Sequence, residues 1–196
     1  NKVMLLKNDF YNKNVIHRNR EKLYSILMSH FDLQVKGITY LEFGTGKGAS
    51  LKWWISNNTN DKSEFWAFDT FTGLPEKYGH YNVGTFSLDG ELPDITDKRI
   101  NFIKGLFQET ITTAIHYINF KKSVIIHIDS DLYSSAIFVL SSLIKHLKKG
   151  DIIIFDEFCV PSHEFKAFND FTKSFHINLK PLFSINNYLQ IAFEVL

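Results

Sequence analysis

One cysteine, Cys159, is all that the 196 residues contain. A single thiol excludes an intramolecular disulfide and any zinc cluster built on cysteine, and it points to a reducing compartment, the cytoplasm. Charge of one sign is equally scarce, because 22 Lys and Arg face 21 Asp and Glu. No basic stripe follows from such a balance, so nucleic acid is not expected as a partner. No apolar run reaches the roughly 18 residues of a membrane span, and residues 1–11 are polar, without the apolar core of a secretory signal. A membrane is therefore not expected as a partner either. Repeats and low-complexity tracts are also absent. The chain does not begin with Met, which leaves residues ahead of Asn1 open.

With 44% hydrophobic residues, the chain is able to bury a two-sided core and has little length for a second one. A single domain over 1–196 is expected, with a short helical cap at 1–37 and a core at 38–196. Short apolar runs at 38–43, 65–68, 101–103, 124–128 and 152–155 read as buried parallel strands. Between the last two, residues 131–149 carry Leu132, Ala136, Val139, Leu140, Leu143 and Leu147 at helical spacing, which predicts a crossover helix. Runs at 180–185 and 188–195, separated by Asn186 and Asn187, predict a closing antiparallel hairpin with a tight turn. Phe165, Phe168, Phe171 and Phe175 recur at near-helical spacing and read as a packed helix face. Such a pattern resembles the class I methyltransferase fold, an α/β, Rossmann-like, mostly parallel seven-stranded sheet with helices on both faces and a C-terminal antiparallel hairpin. The irregular stretch 70–97 is too long for a plain connector and is expected to serve function.

Tyr40-Leu41-Glu42-Phe43-Gly44-Thr45-Gly46-Lys47-Gly48-Ala49-Ser50 carries a strand into a glycine turn and then a helix. Glycines admit a close ligand, and the helix start offers free N–H groups to an anionic oxygen. The spacing Gly44-x-Gly46-x-x-Ala49 suits a dinucleotide as well as S-adenosylmethionine (SAM). Glu42 favours SAM, because an acid there accepts a hydrogen bond from an ammonium and repels a pyrophosphate. The plain alternative is a strand-end turn with no ligand. Asp69 ends the second strand, where a carboxylate suits ribose hydroxyls. A turn cap ahead of Thr70 is its bland reading.

His127-Ile128-Asp129-Ser130-Asp131 ends one strand and Asp156-Glu157 ends the next. Carboxylates gathered on adjacent strand ends repel one another unless a cation stands among them. An oxygen-only donor set favours Mg²⁺ among the divalent metals. Asp131, just ahead of the crossover helix, reads first as its N-cap. His127 reads first as a satisfied core histidine and second as a proton acceptor. Of Trp53 and Trp54, one is expected in the core and the other beside a site.

These residues together resemble the TylF/MycF macrocin O-methyltransferases, sugar O-methyltransferases dependent on SAM and a divalent metal. The resemblance runs from about Tyr40 to Phe158. It rests on Leu41 to Gly46, on Asp69-Thr70-Phe71-Thr72-Gly73-Leu74-Pro75, on Gly84-Thr85-Phe86 and on Gly105-Leu106-Phe107-Gln108-Glu109-Thr110. His127-Ile128-Asp129-Ser130-Asp131-Leu132-Tyr133-Ser134-Ser135 and Ile154-Phe155-Asp156-Glu157-Phe158 complete it. The resemblance implies that Glu42, Gly44 and Gly46 hold the methionine end of SAM, Asp69 the ribose, and Phe107 with Gln108 the adenine. Thr45, Ser50, Thr70, Phe71 and Asp129 are counted with them as cofactor-binding. Asp129, Asp156 and Glu157 are the implied metal ligands, and Asp129, Asp156 and His127 the implied catalytic set. Related catechol-type enzymes carry a lysine three residues after the first metal aspartate, where this chain has Leu132, so the general base is unassigned. A small-molecule acceptor such as a sugar is implied, and a homo-oligomer is left open. The rival readings are an NAD-dependent oxidoreductase, a sugar-nucleotide transferase using Asp129-Ser130-Asp131, and a non-catalytic binding module.

Overall fold

A computed structural model describes residues 19–196. The part of the expected helical cap at 1–18 lies outside the described residues. From the cap, helix α1 (Glu21–His30) is seen. It is followed by β1 (Ile38–Phe43), α2 (Ala49–Asn57), β2 (Glu64–Asp69), β3 (Ile100–Lys104), α3 (Phe107–Ala114) and β4 (Ser123–Ile128). Then come α4 (Tyr133–Leu143), β5 (Ile152–Phe155), α5 (Glu164–Ser174), β6 (Leu179–Ile185) and β7 (Gln190–Val195).

The strands form one seven-stranded sheet in the order β3-β2-β1-β4-β5-β7-β6. The first five run parallel, and β7 pairs antiparallel with both β5 and β6. The five strands expected from apolar runs are present within one residue or two at each end. All six residues of β1 are buried, as a central strand covered on both faces demands. The period of two then divides its side chains between two cores. Leu41 and Phe43 join Phe68, Ile126, Ile128 and Phe155 beneath α3, α4 and α5. Ile38 and Tyr40 join Phe65, Ile125 and Ile154 on the opposite face, against α1 and α2. Trp54 is fully buried, while half-buried Trp53 packs on Tyr24 of α1 instead of lining a site.

Two local expectations are corrected. The crossover helix starts at Tyr133 instead of at 131 and ends at Leu143, with a 3₁₀ turn over Ile144–His146. The hairpin turn is longer than Asn186 and Asn187, because Tyr188 also takes a left-handed conformation, with φ of 66° after 52° and 56°. No helix among the described residues is long and apolar enough to cross a membrane.

Chain order reverses at β1, which lies between β2 and β4. At such a switch point the loops leaving neighbouring strands diverge to opposite faces and open a crevice at the carboxyl ends. Register sets what meets there: Phe43 pairs with Phe68 and with Ile128, and Ile128 with Phe155. Gly44, Asp69, Asp129 and Asp156 therefore emerge on one edge.

Candidate active site

A cavity of about 820 Å³ opens at this edge, walled by the glycine turn, the 70–97 stretch, the start of α3, the ends of β4 and β5, and the β6–β7 turn. Its size is in the range of small-molecule sites.

The glycine turn owes its shape to two positions. A Cβ on Gly44 (φ 99°) would stand 1.8 Å from the backbone oxygen of Asp129, so β1 and β4 leave the sheet too close together for any side chain. Gly46 (φ 48°) faces open space, which leaves its backbone bare toward the cavity. Its N–H donates to Asp69 Oδ2 at 2.7 Å, while Asp69 Oδ1 accepts from the Phe71 N–H at 2.7 Å. Asp69 is thus both the expected turn cap and a member of the cavity wall. Each carboxylate oxygen retains a further acceptor position, which leaves room for ribose hydroxyls. Phe71, expected among cofactor-binding residues, turns its ring into the core against Phe102. Thr70, Phe107, Gln108 and Ser50 line the cavity, with the Phe107 ring held edge-on by Phe43 at 5.4 Å. Two buried hydroxyls in the wall, Thr45 Oγ1 and Ser130 Oγ, have no protein partner. Buried polar atoms of this kind call for a ligand or water, and with the bare glycine turn they fit a polar cofactor.

Glu42 and His127 are not in the wall but beneath it. Glu42 Oε1 accepts from the Tyr40 hydroxyl at 3.0 Å and stands 3.5 Å from His127 Nδ1. Tyr40 Oη also lies 2.7 Å from Nδ1, and Tyr24 Oη 3.5 Å from Nε2. Burial alone would favour the neutral imidazole, but Asp156 and Glu42 outweigh it and lift its pKa to about 9. His127 is the buried core histidine of the first reading, and its neighbouring carboxylates favour the protonated ring in the metal-free chain. Glu42 Oε2 is buried without a partner, one layer below the place expected for the SAM ammonium.

At the far wall, donor atoms of Asp129, Asp156 and the underlying His127 lie within 4.8 Å of one another. Asp156 Oδ1 is buried with no hydrogen-bond partner, since His127 Nε2 is 3.8 Å away. Two carboxylates and an imidazole suit a divalent cation. Glu157, implied as a third ligand, lines the cavity but stands outside this group and accepts from the Tyr78 hydroxyl at 3.3 Å. Burial and the nearby Asp156 push Asp129 upward, whereas His127 and Arg20 overcome burial and hold Asp156 low. Burial followed by Glu157 and Asp156 raises Asp131 to about 6.

Asp131 is not the N-cap of α4. That position belongs to Leu132, whose side chain makes no cap hydrogen bond, and the Tyr133 N–H donates instead to His163 Nδ1 at 3.3 Å. Asp131 takes φ of 60° in a three-residue turn closed by the Leu132 N–H on the Ser130 carbonyl at 2.6 Å, and it lines the cavity. A non-glycine residue held so is strained, a condition concentrated at functional sites.

Arg20 escaped the sequence reading. Its Nη1 lies 2.6 Å from Asp129 Oδ2 and 3.0 Å from Asp156 Oδ2, across more than a hundred residues. Burial opposes its charge, and the two aspartates outweigh burial and raise its pKa. The only local hint is a cation beside a helix N-terminus, where the dipole disfavours it. Asn186, Leu189 and Gln190 of the hairpin turn also reach the wall, and no local signal marks them.

Comparison with known proteins bears on the fold and the family. A curated relative, the mycinamicin III 3''-O-methyltransferase of Micromonospora griseorubida, is 27% identical over an alignment spanning 52% of this chain and 48% of its own. The chain thus spans about half the length of that relative. Among solved structures, CalS11, a calicheamicin methyltransferase, is 21% identical with a TM-score of 0.68, over 90% of this chain and 80% of its own. An apo structure of CalS11 describes it as a TDP-rhamnose 3'-O-methyltransferase. The O-methyltransferase NovP is 17% identical with a TM-score of 0.64, over 89% of this chain and 78% of its own. These likenesses establish the class I methyltransferase fold. The model of the family described as macrocin-O-methyltransferase (TylF) matches residues 89–191, more than half of the chain, and the chain belongs to that family.

Proposed function

We propose that the chain is a SAM-dependent O-methyltransferase acting on a hydroxyl of a sugar or related polyol, with a divalent cation, Mg²⁺ in the first place, at Asp129 and Asp156. One observation carries the reading: a single cavity joins a bare glycine turn with unpartnered hydroxyls to two carboxylates, half-buried Asp129 and buried Asp156, on the neighbouring strand ends. Family membership and the sugar-modifying names of the relatives support it.

SAM supplies a methyl group on a cationic sulfur, and the transfer is an in-line displacement. The chain's part is alignment and exclusion of water. Gly44 to Gly46 with Thr45 and Ser130 offer backbone N–H groups and hydroxyls to the amino-acid end, and Asp69 offers acceptors to the ribose. Leu106, Phe107 and Gln108 give the adenine an apolar face and a polar edge. Glu42, beneath the turn, sets a negative field below the methionine end. A divalent cation would be held by Asp129 and Asp156, with His127 behind them, and would supply Lewis acidity to the acceptor hydroxyl. Glu157 and Asp131 complete the acidic wall beside the acceptor. The stretch from Thr70 to Ser87 and the β6–β7 turn bound the space left for the acceptor.

Calorimetry on the purified chain tests the cofactor, with SAM and its demethylated product expected to bind and NADH not to bind. Tight binding of NADH and none of SAM would overturn the assignment. Methyl transfer from labelled SAM to a panel of nucleotide sugars, TDP-rhamnose included, tests the acceptor class with and without chelator. Full turnover in excess chelator removes the metal from the reading and leaves the methyl transfer.

A further inference from the structure

Arg20 stands where an incoming cation would have to go. One guanidinium nitrogen, Nη1, contacts Asp129 Oδ2 and Asp156 Oδ2 together. These are the two carboxylates whose donor atoms converge with those of His127. Its side chain is about one-third exposed (35%) and faces the cavity, so it is free to leave by rotation of its own bonds. The helix that follows it is packed into the core. Arg20 directly precedes α1, whose Leu23, Tyr24 and Leu27 are fully buried and whose Tyr24 hydroxyl meets Ser50 Oγ at 3.1 Å.

The position is costly for an arginine on local grounds. The first turn of a helix carries the positive end of its dipole, and a cation there is disfavoured. The acid in the first turn, Glu21, is engaged by Asn19, whose side chain accepts from the Glu21 N–H and donates to Glu21 Oε2. The compensation comes from the two strand-end aspartates. Without a cation they would repel each other in a largely buried wall.

We infer that Arg20 is the resident counter-cation of the Asp129–Asp156 pair and that a divalent ion enters only by displacing its guanidinium. The inference rests on the metal reading of the proposed function. Both cations draw on the same two carboxylates, Arg20 through their Oδ2 atoms, and like charges brought that close repel one another. Arg20 therefore lowers metal affinity by competition and keeps the metal-free site neutralised. Linkage makes the effect reciprocal: metal binding frees the Arg20 side chain into the cavity.

The experiment is Mn²⁺ titration of the whole metal-free chain without SAM, followed by the electron paramagnetic resonance signal of free Mn²⁺. It compares the wild type with Arg20→Gln, Arg20→Lys and Asp156→Asn. Arg20→Gln is expected to bind Mn²⁺ on the order of 10-fold more tightly than the wild type. Arg20→Lys should fall between them, because a single ammonium lacks the guanidinium's fork of donors. If Arg20→Gln does not fold, as judged by circular dichroism, Arg20→Lys against the wild type decides alone. Equal affinity in wild type and variants overturns the competition and leaves the metal site standing. Mn²⁺ uptake absent from wild type and Arg20 variants alike overturns the metal reading itself, as does uptake unchanged in Asp156→Asn.

Discussion

The backbone oxygen of Asp129 occupies the space in which a side chain at Gly44 would begin, 1.8 Å from the position of its Cβ. The glycine turn after β1 and the acid-bearing end of β4 are therefore one structure. The Asp129 N–H donates to the Phe43 carbonyl at 2.9 Å, which completes the lock. Gly44→Ala is expected to destabilise the chain by at least about 1–3 kcal/mol, through the left-handed φ of 99° and the clash together. It should also abolish SAM binding in whatever fraction remains folded. Urea denaturation followed by fluorescence, with calorimetry on the folded fraction, checks both; an alanine variant of wild-type stability would contradict the close approach.

Asp156→Ala removes a carboxylate from the far wall and leaves the glycine turn in place. Turnover should fall by more than the roughly 100-fold typical of losing an outer-shell partner. SAM affinity should stay within a few-fold, since Asp69, Thr45 and Ser130 are untouched. Steady-state rates alongside calorimetry separate the two effects, and a parallel loss of SAM binding would mean that Asp156 supports the fold and not the chemistry.

His127 should titrate near pH 9 in the metal-free chain, because Asp156 and Glu42 flank a fully buried ring. A folded-state pKa raised above the usual 6.5 contributes stability fully present below 6.5 and lost as pH rises through 9. NMR of labelled imidazole carbons reads the midpoint directly. Chemical denaturation at intervals between pH 6 and 9.5 reads the falling stability. An imidazole that titrates near 6.5 would dissolve the charged network beneath the cavity.

Glu164 is fully buried at the start of α5, where its Oε2 accepts from the Glu157 N–H at 2.9 Å and its Oε1 has no partner. Burial pushes its pKa well up, with Asp129, Asp156 and Asp131 adding to the effect. A carboxyl so raised binds its proton more tightly in the folded chain, so it costs stability as pH climbs above the ordinary glutamate range. Glu164→Gln keeps the acceptor and removes the ionisation. Its melting temperature should exceed the wild type by more at pH 8 than at pH 5.5, in chelator to keep metal out. A difference that shrinks with rising pH would reverse the assignment.

Local sequence carried the strands, the glycine turn and the closing hairpin, for a physical reason. Central strands covered on both faces must be apolar throughout, and β1 and β5 are buried at every position. The turn after β1 needs positive φ and a missing side chain, which glycine alone supplies without strain. Asp69, Thr45, Ser50, Phe107 and Gln108 were legible because each lies within a residue or two of a strand or helix end, where a parallel sheet opens its crevice.

Depth and pairing were decided elsewhere. Whether Glu42 faces the cavity or lies under it depends on Tyr40, Tyr24 and His127, which arrive from β1, α1 and β4 and pack into one buried layer. Whether Asp131 caps α4 or faces the cavity depends on a strained turn that the neighbouring carboxyl wall surrounds. Arg20 and Asp129 are 109 positions apart, and no periodicity links residues at that distance. Hydrophobic spacing records which face of an element is buried. It does not record which charge another element brings to that face, and in this chain that charge is the guanidinium on the acids.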